Sequence, residues 1–389
     1  MTVVIIGAGL AGLRTAESLR RAGFSGRVVL VGRERELPYD RPPLSKELFL
    51  GAESPRTLQS LADLDRLSIE LRLDAEAVAL DATASVVHIC DGSEIAYDHA
   101  VVAVGVGART LPGGTGAQTL RTSADRDALR RRVIDSGSLL VIGAGFLGCE
   151  VAAAARIHGA DVTMIEPQHA PLASVLGTEV GLEVAARHLA AGVDLRCRTS
   201  LDQLAGAAGQ WVATLDDGAR VAVGTVLMAV GSRIDLQWLS GSGVEVGNGI
   251  LCDEFGRTSA RNVWAVGDCA AWWDPHRATH MRREHWTHAG EQAQAVGRSI
   301  ADGGATFGVE GPPYFWSDQY GVKIQALGDP TPGSLVEVRR IGEEQRLFAI
   351  YARGDIVTAV VGFGLPRHVM KCRGLIGSAS VGSVLAAIG

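Results

Sequence analysis

The chain opens on four consecutive apolar residues, Val3-Val4-Ile5-Ile6, which give way to Gly7-Ala8-Gly9-Leu10-Ala11-Gly12 and then to a helix-like run from Leu13 to Arg20. The pattern predicts a buried strand, a tight turn and a helix. It returns later: apolar Leu139 to Ile142, then Gly143-Ala144-Gly145-Phe146-Leu147-Gly148 opening a second helix. Each copy is followed by an Asp-Gly hairpin and an apolar strand ending in glycine. In the first copy these are Val86 to Ile89, Asp91-Gly92, Glu94 to Tyr97 and Ala100 to Gly105; in the second, Asp217-Gly218 and Ala229-Val230-Gly231. The spacing from Asp91 to Asp217 equals that from Ala103 to Ala229, so the two halves share one plan.

The glycines have separate physical jobs. Gly7 permits the turn, Gly9 lets backbone approach a pyrophosphate, and Gly12 lets helix and strand pack closely, with the helix N-terminus facing the phosphates. Gly143, Gly145 and Gly148 repeat the arrangement, so two dinucleotide sites are expected. The strand after each helix normally ends in an acid that binds the adenosine ribose. Asp161 to Ile165 ends in Glu166, which would repel a 2′-phosphate and favours NADH over NADPH. Arg27 to Val31 is followed instead by Gly32 and Arg33. Glu34 comes one residue late: either it reaches the ribose or that contact is lost.

Further along, Pro38-Tyr39-Asp40-Arg41-Pro42-Pro43-Leu44-Ser45-Lys46 carries three prolines that fix φ and suit a stiff loop holding Arg41 and Lys46. Glu150 follows the second glycine turn, where the helix dipole would ease its burial. A strand through Asn262 to Val266 ends in Gly267-Asp268, Glu284-His285-Trp286 leads into a helix through Ile300, and a glycine-rich stretch through 303–313 marks a boundary. Beyond it the expected strands are Val336 to Arg339, Gln345 to Tyr351 and Val357 to Val361, with a closing helix from Arg367.

Composition narrows the classes. At 389 residues the chain is long enough for two or three domains of roughly 150 residues, and 47% hydrophobic content supplies their cores. A formal charge of -6 argues against nucleic-acid binding. No run approaches the ~20 apolar residues of a membrane span, and a strand starting at Val3 leaves no room for a signal peptide. The six cysteines form no CxxC or metal-like spacing, which suits a reducing cytoplasm and removes the usual dithiol of disulfide reductases. His280, His285 and His288 have no partner spaced to complete a metal site, so no metal is expected.

Several of these segments together resemble a known family: the FAD-dependent ferredoxin reductases, of glutathione-reductase-like fold, that serve bacterial oxygenases and cytochromes P450. The pieces are Pro38 to Lys46, the second turn with Glu150, Gly256-Arg257-Thr258 with Val266-Gly267-Asp268-Cys269-Ala270, Glu284-His285-Trp286, and Phe315-Trp316-Ser317-Asp318-Gln319-Tyr320. The resemblance implies an α/β chain with two Rossmann-like dinucleotide-binding domains, for FAD and NAD, plus a C-terminal α+β interface domain. The implied divisions are FAD-binding 1–111 and 238–308, NAD-binding 112–237 and C-terminal 309–389. It places Gly7, Gly9, Ala11, Gly12, Arg41, Lys46, Val78, Arg121, Asp268 and Trp286 around FAD, with Glu34 as the remaining candidate at the ribose. Gly143, Gly145, Gly148, Glu150, Glu166 and Gly231 would surround NADH.

Lys46 and Glu150 are the implied catalytic pair beside the reactive flavin edge, and electrons would run from NADH through FAD to a ferredoxin that feeds a P450 or Rieske-type oxygenase. The runners-up are a reductase of a small acceptor such as monodehydroascorbate or dioxygen, and an apoptosis-inducing-factor-like redox interaction protein. Three positions depart from the family: Arg33 replaces the ribose acid, Ala103-Val104-Gly105 replaces Ala-Thr-Gly, and Gly321 stands where an acid is common. Acidic ferredoxins call for local positive charge, for which Arg130-Arg131-Arg132, Arg282-Arg283, and Arg367 with Lys371 and Arg373 are candidates.

Overall fold

The structure is a computed structural model that describes residues 1–49, 56–303, 305–331 and 333–389; Gly304, in the expected boundary, lies outside the described residues. It divides into two compact units. The first comprises Met1–Asp40, Arg56–Gly107 and Arg233–Glu310; the second comprises Arg41–Pro55, Ala108–Ser232 and Gly311–Gly389.

In the first unit five parallel strands lie in the order Val263–Ala265, His99–Val102, Thr2–Ile6, Arg27–Val31 and Ile69–Arg72. Val3, Val4 and Ile5 are fully buried, as expected for the central strand of a sheet covered on both faces. The chain leaves this central strand to one side and returns on the other, so the order reverses beside it and opens a crevice at its carboxyl end. The first glycine turn sits there. Helix Leu10–Arg21 packs against helix Trp286–Asp302 through small residues: a Cβ on Gly297 would fall 2.5 Å from Ser18 Cβ.

The second unit repeats the design with four parallel strands in the order Asp194–Cys197, Asp161–Glu166, Ser138–Ile142 and Thr225–Met228. Each unit also carries a three-stranded antiparallel meander, Ala77–Asp81, Val86–Ile89 and Glu94–Ala96 in one, and Leu201–Ala207, Gln210–Leu215 and Arg220–Val223 in the other. Their tips are the Asp-Gly pairs that signalled the repeat.

The C-terminal part of the second unit is a five-stranded antiparallel sheet in the order Tyr314–Gln319, Val322–Gly328, Ile356–Phe363, Arg346–Arg353 and Leu335–Ile341. The last three correspond to the expected strands, with Arg346–Arg353 beginning one residue after the expected Gln345; the first two were not foreseen. The closing helix is in fact two short ones, Pro366–Lys371 and Val381–Ile388, the second capped by the Ser380 hydroxyl accepting from Ser383 N at 3.1 Å. Glycines at 374 and 377 separate them, and glycine in a helix interior is costly.

Candidate functional site

The first turn begins at the end of strand Thr2–Ile6. Gly7 N donates to Val31 O at 2.8 Å, and Gly7 has φ +117°, a region side chains avoid. A Cβ there would fall 2.2 Å from Ala103 O, and one on Gly12 would fall 1.9 Å from Gly7 O. Gly9 is different: its Cβ would meet no protein atom within 4 Å. It heads helix Leu10–Arg21 with no side-chain cap, leaving the first amides of the helix turned toward that open space. This cradle fits a dinucleotide pyrophosphate.

The first unit also holds other expected residues. Ala11 is buried, and a Cβ on Gly267 would press on it at 2.9 Å, so the turn carrying Asp268 packs against the helix start. Trp286 Nε1 donates to Asp40 Oδ1 at 2.8 Å, and Tyr39 Oη donates to Glu34 Oε2 at 2.6 Å. Arg33 is exposed, 3.9 Å from Glu76 on the surface. Val78 sits exposed at an irregularity of strand Ala77–Asp81.

The second turn matches the first nearly atom for atom. Gly143 has φ +97° and a Cβ on it would fall 2.5 Å from Ala229 O; one on Gly148 would fall 2.1 Å from Gly143 O; one on Gly145 would meet nothing within 4 Å. Glu166 closes the turn by accepting from Ala144 N at 2.7 Å and from Gln168 N at 2.9 Å. Gly231, φ +98°, accepts from Arg109 N at 3.1 Å. Arg41 Nη1 donates to Arg121 O at 2.5 Å, and Arg121 N donates to Asp125 Oδ2 at 2.9 Å.

The proline loop ends in a short helix, Pro43–Lys46, with a proline in its first turn. It presents Lys46 to Glu150 of helix Phe146–Ile157: Nζ donates to Oε1 at 2.6 Å, with the carboxylate only 5% exposed. Ser45 Oγ donates to Oε2 at 2.5 Å, and Ser317 Oγ donates to Oε1 at 2.6 Å. Lys46 Nζ also lies 5.9 Å from the centre of the Trp316 ring.

Two expectations need correction. Glu150 is not at the helix start; the helix begins at Phe146, so Glu150 lies in the second turn, beyond the reach of the terminal dipole, and three donors hold its charge instead. Arg282 and Arg283 are not an open cationic pair. Each is 14% exposed; Arg282 donates to Asp268 O at 3.1 Å and pairs with Glu284 at 2.5 Å, and Arg283 pairs with Asp274 at 3.2 Å. Arg367, Lys371 and Arg373 are exposed.

Sequence reasoning missed Ser45, Ser317, Gln319 and His188. All are buried, and the first three lie inside quoted motifs. His188 Nδ1 is 2.8 Å from Tyr320 Oη, and burial pushes the imidazole pKa down to about 4, opposed by the Gln319 side chain. Burial also pushes the Tyr320 hydroxyl up. All six cysteines are free, and among the described residues no helix is long and apolar enough to cross a membrane.

Comparison with known proteins supports the same picture. Residues 1–293 match the family described as pyridine nucleotide-disulphide oxidoreductase, and residues 314–386 match the one described as reductase C-terminal. The chain is 35% identical over 385 residues to rhodocoxin reductase of Rhodococcus erythropolis, covering 97% of this chain and 89% of the relative. It is 34% identical over 380 residues to the ferredoxin--NAD(+) reductase subunit of the benzene 1,2-dioxygenase system of Pseudomonas putida, covering 96% and 92%. Among solved structures, the ferredoxin reductase for the CYP199A2 system of Rhodopseudomonas palustris superposes with a TM-score of 0.89 at 30% identity, over 95% of this chain and 92% of that one.

Proposed function

Because the chain belongs to the pyridine nucleotide-disulphide oxidoreductase family, we propose that its two glycine turns serve one electron path, from NADH through FAD to a small iron–sulfur ferredoxin feeding a cytochrome P450 or Rieske-type oxygenase. The protein is an FAD-dependent NADH:ferredoxin reductase. The observation that carries this reading is the pairing of two near-identical dinucleotide cradles with the reductase-type C-terminal segment, in a chain that has no CxxC dithiol. When bound, FAD supplies the change from two-electron to one-electron transfer. The chain's own residues do the rest.

Gly7 and Gly12 shape the turn, Gly9 leaves room for the FAD pyrophosphate, and Asp268 would supply a carboxylate to its ribityl hydroxyls. Gly143, Gly145 and Gly148 admit the NADH pyrophosphate, and Glu166 selects against a 2′-phosphate. Lys46 and Glu150 hold each other as an ion pair that orients charge for the NADH-to-flavin step. On this reading the FAD-binding part is 1–111 with 238–308 and the NAD-binding part is 112–237. Six free cysteines fit the reducing cytoplasm as its location.

The test is steady-state NADH oxidation coupled to cytochrome c with a [2Fe–2S] ferredoxin added. Rapid reduction that depends on the ferredoxin supports the reading; equal rates with and without it sink it in favour of a small-molecule acceptor.

A further inference from the structure

Strand Tyr314–Gln319 alternates between half-buried and buried residues, and its buried face carries Phe315, Ser317 and Gln319. Phe315 explains the alternation, since its ring meets Phe146 edge-on at 5.1 Å and seats the strand on helix Phe146–Ile157. The two polar residues beside it are 0% and 1% exposed and would be costly there without hydrogen bonds. Alanine would fill the Ser317 position without that liability.

Their bonds form a directed chain. Gln319 Nε2 donates to Ser317 Oγ at 3.1 Å, and Ser317 Oγ donates to Glu150 Oε1 at 2.6 Å, the oxygen that also receives Lys46 Nζ at 2.6 Å. A hydroxyl has one proton. With the amide of Gln319 donating into its oxygen, the Ser317 proton is left for the carboxylate. Ser45 holds the other oxygen, but it is the immediate neighbour of Lys46 and moves with it. Ser317 grips Glu150 from a different element.

We propose that Ser317 is a positioning residue for the Lys46–Glu150 pair, and that Gln319 sets the direction of its hydroxyl. The proposal rests on the reading that the pair acts in electron transfer from NADH. Ser317 fixes the Glu150 carboxylate, and through it the place of the Lys46 ammonium. A charge-assisted hydrogen bond of this kind is among the stronger ones a side chain makes.

The experiment compares Ser317→Ala, Ser317→Thr, Gln319→Met and Glu150→Gln holoenzymes, each alone, and Ser317→Ala combined with Glu150→Gln. Stopped-flow flavin reduction gives the limiting rate and the NADH dissociation constant separately. The expected result is a limiting rate lowered about tenfold in Ser317→Ala, with NADH affinity and FAD content unchanged. Threonine should restore the rate, and Ser317→Ala should have no further effect once Glu150→Gln is present.

A second readout is independent of turnover. The chain has lysine only at 46, 323 and 371, so ¹⁵N-lysine NMR contains three side-chain signals, and Lys46→Met identifies one of them. That signal should shift in Ser317→Ala and in Gln319→Met, while the other two stay in place. An unmoved Lys46 signal together with a wild-type limiting rate in Ser317→Ala overturns the proposal. If Glu150→Gln slows reduction and Ser317→Ala does not, positioning by Ser317 is wrong and the pair's role stands. If Glu150→Gln itself leaves the rate intact, the underlying reading fails.

Discussion

Replacing Lys46 by Met removes the cation from a carboxylate that is 5% exposed and leaves Glu150, among the described residues, with the Ser45 and Ser317 hydroxyls. Breaking a buried pair by deleting one partner typically costs about 3–5 kcal/mol, because the remaining charge is uncompensated. Two hydroxyl donors stay in place, which puts this variant near the lower end, about 3 kcal/mol. For a unit of this size each kcal/mol lowers the unfolding midpoint by about 2–4 °C, so the expected drop is about 6–12 °C. Adding Glu150→Gln removes the stranded charge and should recover most of that loss, since replacing both members of a buried pair is often nearly neutral. The rate of flavin reduction by NADH should not recover, because the pair is then absent. Urea denaturation followed by circular dichroism, run beside stopped-flow reduction of wild type, Lys46→Met and the double variant, measures both. A Lys46→Met protein within about 1 kcal/mol of wild type, or a double variant no more stable than the single one, would refute the buried-charge reasoning.

Gly9 has an extended backbone, φ -85° and ψ -166°, and its Cβ meets open space, so Gly9→Val should fold normally yet purify without FAD; a full yellow complement would show that the first cradle is not the FAD site. Glu166→Ala removes the acceptor of two backbone amides as well as the expected ribose contact, and should raise the NADH KM about tenfold or more while leaving FAD content alone; equal use of NADPH by the unmutated protein would contradict this role. Burial lowers the His188 pKa to about 4 from an ordinary 6.5. The unfolded chain therefore binds the extra proton first, and stability is full above pH ~6.5 and falls between pH ~6.5 and ~4, by up to about 3 kcal/mol. Urea midpoints against pH should flatten over that window in His188→Gln; an unchanged slope would mean that His188 is not the group responsible.

The two glycine turns were legible because the requirement is local. Positive φ at Gly7 and contact with a neighbouring carbonyl at Gly12 can be met only by residues without a side chain, so the sequence has to show them. The meander hairpins were legible for the same reason. The setting of Glu150 was not, because its partners Ser45 and Ser317 lie 105 and 167 residues away and only the fold brings them together. The strands Tyr314–Gln319 and Val322–Gly328 escaped notice because polar Ser317 and Gln319 occupy the buried face. Their turn also places Tyr320, not a glycine, at φ +50°. Arg282 and Arg283 look like free charge in one dimension, yet Glu284 and Asp274 neutralise them in three.

The central claim is that electrons leave this flavoprotein for an iron–sulfur protein. Its most direct test mixes NADH-reduced enzyme with an oxidised [2Fe–2S] ferredoxin under anaerobic conditions in a stopped-flow spectrophotometer. The account predicts bleaching of the ferredoxin's visible absorbance at a rate that rises with ferredoxin concentration and falls with added salt, with two ferredoxins reduced per NADH consumed. An enzyme that stays reduced in the presence of every ferredoxin tried, while passing its electrons readily to dioxygen or a small organic acceptor, would contradict it.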